Sequence, residues 1–107
     1  MNTIAQLNDR ARTALGVGSI LIQTDGINAL PAAQQSHIRE QVERFDDFNA
    51  DNDPHSEHDF GVIAIGRDER VFWKIDYYDR TMTYSSEDPS DPTQTTRVLT
   101  IMLASEY

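Results

Sequence analysis

The segment VFWKIDYY, residues 71–78, constrains the fold more than any other part of this sequence. Successive side chains of a β-strand point to opposite faces, so the segment divides into two sets. The apolar set comprises Val71, Trp73, Ile75 and Tyr77. The mixed set comprises Phe72, Lys74, Asp76 and Tyr78. The pattern predicts a strand with one face in the core and the other half-exposed.

Hydrophobic periodicity and turn residues predict the other elements. Before this strand they are a helix over 3–15 ended by Gly16, a strand over 19–24, a turn at Asp25-Gly26, a helix over 31–49 begun by Pro31, a loop over 50–59 and a strand over 60–66. After it they are a strand over 81–85, a proline-rich acidic loop over 86–92 and a last helix capped by Asp91 and opened by Pro92. We expect the 60–66 strand to be central in the sheet, because it is apolar on both faces.

This order predicts an α+β fold, an antiparallel β-meander of three to four strands with helices packed mainly on one face. A chain of 107 residues has room for one core, so we expect a single domain over 1–107. No apolar run has the length of a transmembrane helix, and the N-terminus lacks the basic and apolar regions of a secretory signal. The chain has no cysteine. The expected compartment is the cytoplasm.

The net charge of −9 is concentrated in two stretches. Residues 43–59 hold seven acidic residues and one Arg, giving −6, and residues 81–107 hold four acidic residues and one Arg, giving −3. The candidate partner-binding carboxylates in these stretches are Glu43, Asp46, Asp47, Asp51, Asp53, Glu57, Asp59, Glu87, Asp88 and Asp91. Such a field repels nucleic acid and anionic membranes and attracts basic protein surfaces. We therefore expect a protein partner, with no direct binding to nucleic acid or membrane.

Three of these acids have helical spacing. Glu43, Asp46 and Asp47 are three and four residues apart, so a helix over 31–49 would place them along one edge. Acidic residues near a helix C-terminus oppose the helix dipole and lower stability. This favours a role for the charge, with a solvated helix end as the alternative.

The segment DNDPHSEHD, residues 51–59, contains the residue types that bind divalent metals. The potential ligands are Asp51, Asp53, His55, Glu57, His58 and Asp59. Their spacing matches no known metal motif, so we expect a flexible, solvated acidic loop and neither metal nor cofactor.

The mixed face of the 71–78 strand is an alternative ligand site, formed by Phe72, Lys74, Asp76 and Tyr78. A half-buried Asp beside Tyr can have a raised pKa and serve in acid–base chemistry. No nucleophile lies beside a base in the sequence, however, and cross-strand pairing explains the same residues without chemistry. We expect no catalytic residues.

Three segments together resemble a known family: FGVIAIG at 60–66, VFWKIDYYDRTMTYSSEDPSDP at 71–92 and RVLTIMLASEY at 97–107. They are similar to a small family of uncharacterised proteins, a domain of unknown function found in alphaproteobacteria and often on plasmids and other mobile elements. The opening IAQLNDRAR also fits this family. The resemblance implies no activity and no catalytic residues. The mobile-element setting suggests proteins that inhibit restriction or CRISPR systems, many of which are small and acidic.

Three hypotheses follow. The first is a non-catalytic DNA mimic whose acidic surface occupies a basic, nucleic-acid-binding groove of a partner, such as a CRISPR effector or a restriction complex. The second is a small enzyme or ligand-binding domain that uses the Lys74/Asp76/Tyr78 face. The third is a structural or regulatory interaction module without mimicry. An electrostatic protein complex weakens with ionic strength, whereas binding in a small-molecule pocket need not.

Overall fold

The predicted 71–78 strand is present, and it is part of the longest strand of the protein. The computed structural model describes residues 3–107. In chain order its elements are α1 (Thr3–Thr13), β1 (Ile20–Gln23), α2 (Asp25–Asn28), α3 (Ala32–Glu43), β2 (Phe60–Ala64), β3 (Arg70–Tyr78), β4 (Thr96–Leu103) and a final 3-10 helix (Ala104–Glu106). The predicted turn at Asp25-Gly26 is the start of the one-turn helix α2. No helix among residues 3–107 is long and apolar enough to cross a membrane.

The four strands form one sheet in the order β1-β4-β3-β2. Strands β2, β3 and β4 pair antiparallel, whereas β1 runs parallel to β4. The α+β class is therefore confirmed, although the sheet is mixed rather than a simple meander.

Side chains on one face of the sheet form the core. Trp73 lies between Gly61 of β2 and Ile101 of β4 and is fully buried. This confirms the prediction that the apolar set of β3 side chains faces the core. Its ring lies at centroid distances of 5.4 Å from Phe45 and 6.2 Å from Phe48. The core also includes Ala11 of α1, and Ile27, Ile38 and Val42 from α2 and α3. The helices thus pack on this face, which we call the inner face, as predicted.

The prediction that the 60–66 segment is a central strand is wrong. It forms β2, which pairs only with β3 at an edge of the sheet. The segment is apolar on both faces because the outer face of the sheet, which α1, α2 and α3 do not cover, is itself rich in apolar side chains. Val62 belongs to that outer face and is 40% exposed.

The predicted helix over 31–49 ends early. Helix α3 stops at Glu43, and the chain turns so that the Phe45 N–H donates to the Val42 carbonyl at 3.3 Å. The helix ends here for two reasons. Phe45 packs against Trp73, and the Asp- and Asn-rich residues that follow favour turns over helix. Asp46 and Asp47 therefore lie beyond the helix, and the predicted helix edge with Glu43 does not form.

The predicted strand over 81–85 is a turn organised by Asp79. The Asp79 carboxylate accepts hydrogen bonds from the Thr83 N–H at 2.9 Å and the Tyr84 N–H at 3.3 Å. Met82 has a φ of 60°, which a regular strand does not adopt. Of the predicted strand, only Ser85 pairs with a strand of the sheet, through an isolated bridge to Tyr78.

The predicted last helix is strand β4. The Asp91 side chain does cap the local backbone, accepting from the Thr93 N–H at 2.9 Å, but a turn follows rather than a helix. Strand β4 has neighbours on both sides, and its residues are buried on both faces. The resulting continuous apolar run lacks the alternation that usually marks a strand.

Candidate partner-binding site at the acidic end of the sheet

The two acidic stretches lead to the starts of β2 and β4, although the first stretch begins beside the middle of β2, where Arg44 and Phe45 lie next to Val62 and Ile63. Both strands are antiparallel to β3: β4 begins opposite Tyr78, the last residue of β3, and β2 begins opposite Lys74. Residues 43–59 lead into β2, and residues 87–91 precede β4. We call the region formed by 43–59 and 87–91 the acidic end. The opposite end carries the hairpin turn 65–69, whose Asp68 and Glu69 are flanked by Arg67 and Arg70.

A buried polar pair ties the two acidic stretches together. The Arg97 Nε donates to Asn8 Oδ1 at 2.7 Å, and Asn8 Nδ2 donates to the Glu57 carbonyl at 2.9 Å. The other arm of the same guanidinium donates to the Pro89 carbonyl. Asn8 is fully buried and Arg97 nearly so. The chain of contacts runs from one acidic loop to the other, so the two loops are held in a fixed relation.

Tyr77 joins the same network from the inner face of β3. Its hydroxyl accepts a hydrogen bond from Asn8 Nδ2 at 2.7 Å and donates to Glu57 Oε2 at 3.0 Å. Burial raises the pKa of the Tyr77 hydroxyl, so the group keeps its proton. The guanidinium of Arg97 lies 5.2 Å from the Tyr77 ring centroid, within cation–π range.

The 50–59 loop, which the sequence suggested was flexible, is anchored by Asp53. This carboxylate is buried and accepts from the N–H groups of Glu57 at 3.0 Å and His58 at 3.2 Å. The His58 ring stacks on Phe48 with centroids 4.0 Å apart, and its Nδ1 lies 2.9 Å from Asp9 Oδ1. Asp53 and His58 therefore act in holding the loop in place.

Eight of the ten predicted binding acids fall into two groups. Asp53, Glu57 and Asp59 are buried or half-buried. Five others are exposed: Asp46, Asp47, Asp51, Glu87 and Asp88. None of these five forms an ion pair within residues 3–107. Their carboxylates are exposed to solvent, although Arg44 precedes Asp46 by two residues and Arg80 lines the same surface pocket as Glu87.

The remaining two predicted acids have structural contacts. Glu43 is half-buried at the end of α3, where its carbonyl accepts a hydrogen bond from Arg12 at 3.0 Å. Asp91 holds its turn through its carboxylate. Hydrogen bonds from the side chains of Thr93 and then Gln94 keep the pKa of Asp91 below its usual value. Asp91 is therefore ionised at neutral pH.

Asp59 borders a polar pocket of about 300 Å³. The pocket lies beside the end of β3 and is lined by Asp59, Ile75, Asp76, Tyr77, Tyr78, Ser85 and Ser86. Burial, and next the charge of Glu57, raise the pKa of the Asp59 carboxyl above its usual value. Two members of the predicted alternative face, Asp76 and Tyr78, thus contribute to this pocket.

The other two members of that face have different surroundings. Lys74 forms an ion pair with Asp76 at 2.8 Å, and this hydrogen bond raises the pKa of Lys74. Phe72 packs edge-on against Phe60 and Tyr107, with centroid distances of 5.4 Å to each. Among residues 3–107 no group of three or more His, Cys, Asp or Glu side chains is placed to hold a metal ion.

Sequence reasoning missed the residues that organise this end, namely Asn8, Arg12 and Arg97. Asn8 lies four residues after Ile4 and three before Ala11, on the apolar stripe of α1. A polar residue on such a stripe is usually buried with partners, and this signal could have identified it. No comparable local signal marks Arg97, because the apolar run around it fits a helix as well as a strand.

A search of curated proteins and of solved structures found no significant match to this chain. Residues 23–106 match the family described as "Protein of unknown function (DUF3768)". This match covers most of the chain, from the end of β1 to the final 3-10 helix. The protein therefore belongs to the DUF3768 family of unknown function.

Proposed function

We propose that the protein is a non-catalytic binding protein whose acidic end occupies a basic, nucleic-acid-binding surface of a partner, as a DNA mimic does. The observation that carries this proposal is the linkage of the two acidic loops before β2 and β4 through one buried polar pair. The Asn8–Arg97 pair links those loops, with hydrogen bonds to Glu57 on one side and Pro89 on the other.

The electrostatics of this end fit such a partner. Its exposed carboxylates have no ion pairs within residues 3–107, so their field extends into solvent and attracts cationic surfaces. A groove built for a duplex expects a dense line of negative charge. Because Asp53 and Arg97 hold the loops in place, binding would cost little ordering entropy.

The partner class that we favour is a defence nuclease, such as a CRISPR effector or a restriction complex. The support is the resemblance to proteins of plasmids and other mobile elements, whose survival depends on escaping such nucleases. The acidic end provides the chemistry that this role requires.

Two charge-matched variants test the proposal. Asp46→Lys with Asp47→Lys reverses charge at the acidic end, and Asp68→Lys with Glu69→Lys makes the same charge change at the opposite end. Wild-type protein is used to capture partners from the native host, and the captured partner is then purified. We expect the first variant to bind it at least about tenfold more weakly and the second to bind nearly as well as wild type.

Competition completes the test. Duplex DNA should displace the wild-type protein from the purified partner, and added salt should weaken the complex. Equal binding by both variants, or a partner that binds DNA and this protein at the same time, would show that the acidic end is not a mimic.

A second candidate function is supported by the polar pocket. Asp59, Asp76 and the Ser85 and Ser86 hydroxyls provide acceptors and donors for a small polar ligand in about 300 Å³. A thermal-shift screen of small polar compounds against wild type and an Asp76→Ala variant tests this candidate. A compound that stabilises the wild type alone would support it, and the absence of any such compound would count against it.

A further inference from the structure

The outer face of the sheet carries many apolar side chains and is not covered by α1, α2 or α3. The core side chains come from odd-numbered strand positions, and the even-numbered positions point away from the helices. Outward apolar residues are Ile20 and Ile22 on β1, Phe60, Val62 and Ala64 on β2, Phe72 on β3, and Val98 and Met102 on β4. The two on β4, in the interior of the sheet, are only 3% and 4% exposed. Four exposed large hydrophobic residues lie on or beside this face: Ile20 at 40%, Ile22 at 44%, Val62 at 40% and Tyr107 at 76% exposure.

This composition differs from that of a solvated sheet face. Antiparallel sheets with one face in water normally place polar residues outward. The exposed apolar side chains lie on the two edge strands, β1 and β2, and apolar surface left exposed on a small protein can mark a contact with another molecule. The outer face therefore has the character of an interface.

The charges on this face favour a second copy of the chain as the other molecule. The charged strand residues here are Arg70 at the hairpin end and the Lys74–Asp76 ion pair in the middle. The face thus lacks the negative excess of the rest of the protein, so two acidic molecules can bring these faces together. We propose that the protein forms a two-fold symmetric homodimer through the outer faces of its sheets, with Lys74 of each copy facing Asp76 of the other.

The geometry of this pairing supports the proposal. In a two-fold interface, residue i contacts j while j contacts i, so opposite charges two positions apart on a strand are self-complementary. Lys74 can face Asp76 of the second copy only if the two β3 strands run antiparallel across the interface. That arrangement places the two acidic ends at opposite ends of the dimer, where their repulsion is smallest.

The available area indicates a reversible dimer. Strands of four, eight, nine and five residues, about 4.8 Å apart, give a face on the order of 400 Å². Stable dimers commonly bury about 800 Å² per partner, so this interface lies at the small end of the range. We expect association that depends on protein concentration.

Sedimentation equilibrium from about 1 μM to about 1 mM, the range expected of small interfaces, tests the dimer. Wild type should shift from monomer to dimer within this range. Lys74→Asp and Asp76→Lys should each weaken self-association at least about tenfold, because like charges then face each other. An equimolar mixture of the two variants should recover association, because opposite charges face each other again. A wild type that stays monomeric throughout, or variants that associate as wild type does, would overturn the proposal.

A pair of apolar variants tests the face independently of charge pairing. Ile22→Lys adds a charge on the outer face, whereas Val17→Lys adds one at a residue that is 72% exposed and lies before β1. With folding checked by circular dichroism, Ile22→Lys should reduce dimerisation and Val17→Lys should not. Equal dimerisation of the two would rule out this face.

Discussion

At the scale of single residues, the protein depends on polar groups that its hydrophobic pattern hides. Asn8 occupies an apolar position of α1 yet makes three side-chain hydrogen bonds, with Arg97, Tyr77 and the Glu57 carbonyl. Its role comes from tertiary contacts up to 89 residues away in sequence, which local patterns cannot encode. The sequence could predict that Trp73 is buried, but not which polar groups share the interior.

Replacement of Asn8 should be costly. Asn8→Ala leaves the buried Arg97 guanidinium without one acceptor, and we expect a loss of about 2–3 kcal/mol in the free energy of unfolding. Gln6→Ala, at an exposed position of the same helix, should change it by less than about 0.5 kcal/mol. Urea denaturation measures both, and similar values for the two variants would contradict a central role for Asn8.

Gly61 is required because Trp73 leaves no room beside it. A Cβ at this position would lie 2.2 Å from the indole Nε1 and 2.8 Å from the Phe45 ring. Gly61→Ala should therefore destabilise the protein by about 1–3 kcal/mol through overpacking. Gly66→Ala meets no atom within 4 Å and is the matched control for thermal denaturation. A Gly61→Ala variant as stable as Gly66→Ala would show that the Trp73 site can relax.

Asp59 gives stability a dependence on pH. Its pKa is raised in the folded state, chiefly by burial, so folding favours the protonated form. This unfavourable contribution is absent below the unfolded pKa and grows as pH rises through the folded pKa. Asp59→Asn should therefore stabilise the protein at pH 7, and the gain over wild type should shrink as pH falls toward the unfolded value. A gain that is constant with pH, measured by urea denaturation, would contradict this explanation.

At the scale of elements, sequence patterns predicted α1, β1, β2 and β3 to within a few residues. They failed where tertiary contacts decide between alternatives. The capping residues Asp91 and Pro92 and the apolar run after them fit a helix as well as a strand. Pairing with both β1 and β3, which lie far away in sequence, makes the run a strand. The helix predicted over 31–49 includes Asp46 and Asp47, but packing of Phe45 and Phe48 against Trp73 ends the observed helix at Glu43.

Amide hydrogen exchange distinguishes the observed elements from the predicted ones. Backbone amides of Leu99 and Ile101, in the middle of a strand bonded on both sides, should be among the slowest to exchange. Amides at Met82 and Thr83, in the Asp79 turn, should exchange orders of magnitude faster. Comparable protection of the two regions would mean that 81–85 is a strand of the sheet after all.

At the scale of the whole molecule, charge and apolar surface are separated. The acidic loops precede β2 and β4, the apolar outer face is nearly neutral, and the helices cover the remaining face. A dimer through the outer faces would carry an acidic end at each extremity. Each dimer would then present two equivalent sites for basic partners. Binding at both sites at once would raise the apparent affinity.

Concentrated negative charge should lower the stability of the folded state. Repulsion among carboxylates that lack cations opposes the compact state, and salt screens it. Asp46→Asn with Asp47→Asn should therefore raise the melting temperature in low salt, by up to about 3 °C, and the gain should fall as salt is added. Asp68→Asn with Glu69→Gln should give no such gain, because Arg67 and Arg70 flank these acids. If the acidic end is a binding site, the Asp46→Asn, Asp47→Asn variant should be more stable but bind the partner more weakly. Binding sites often keep a charge arrangement that lowers stability because the charges are needed for binding. A variant that gains stability and keeps full partner affinity would show that the charge at this end has no role in binding.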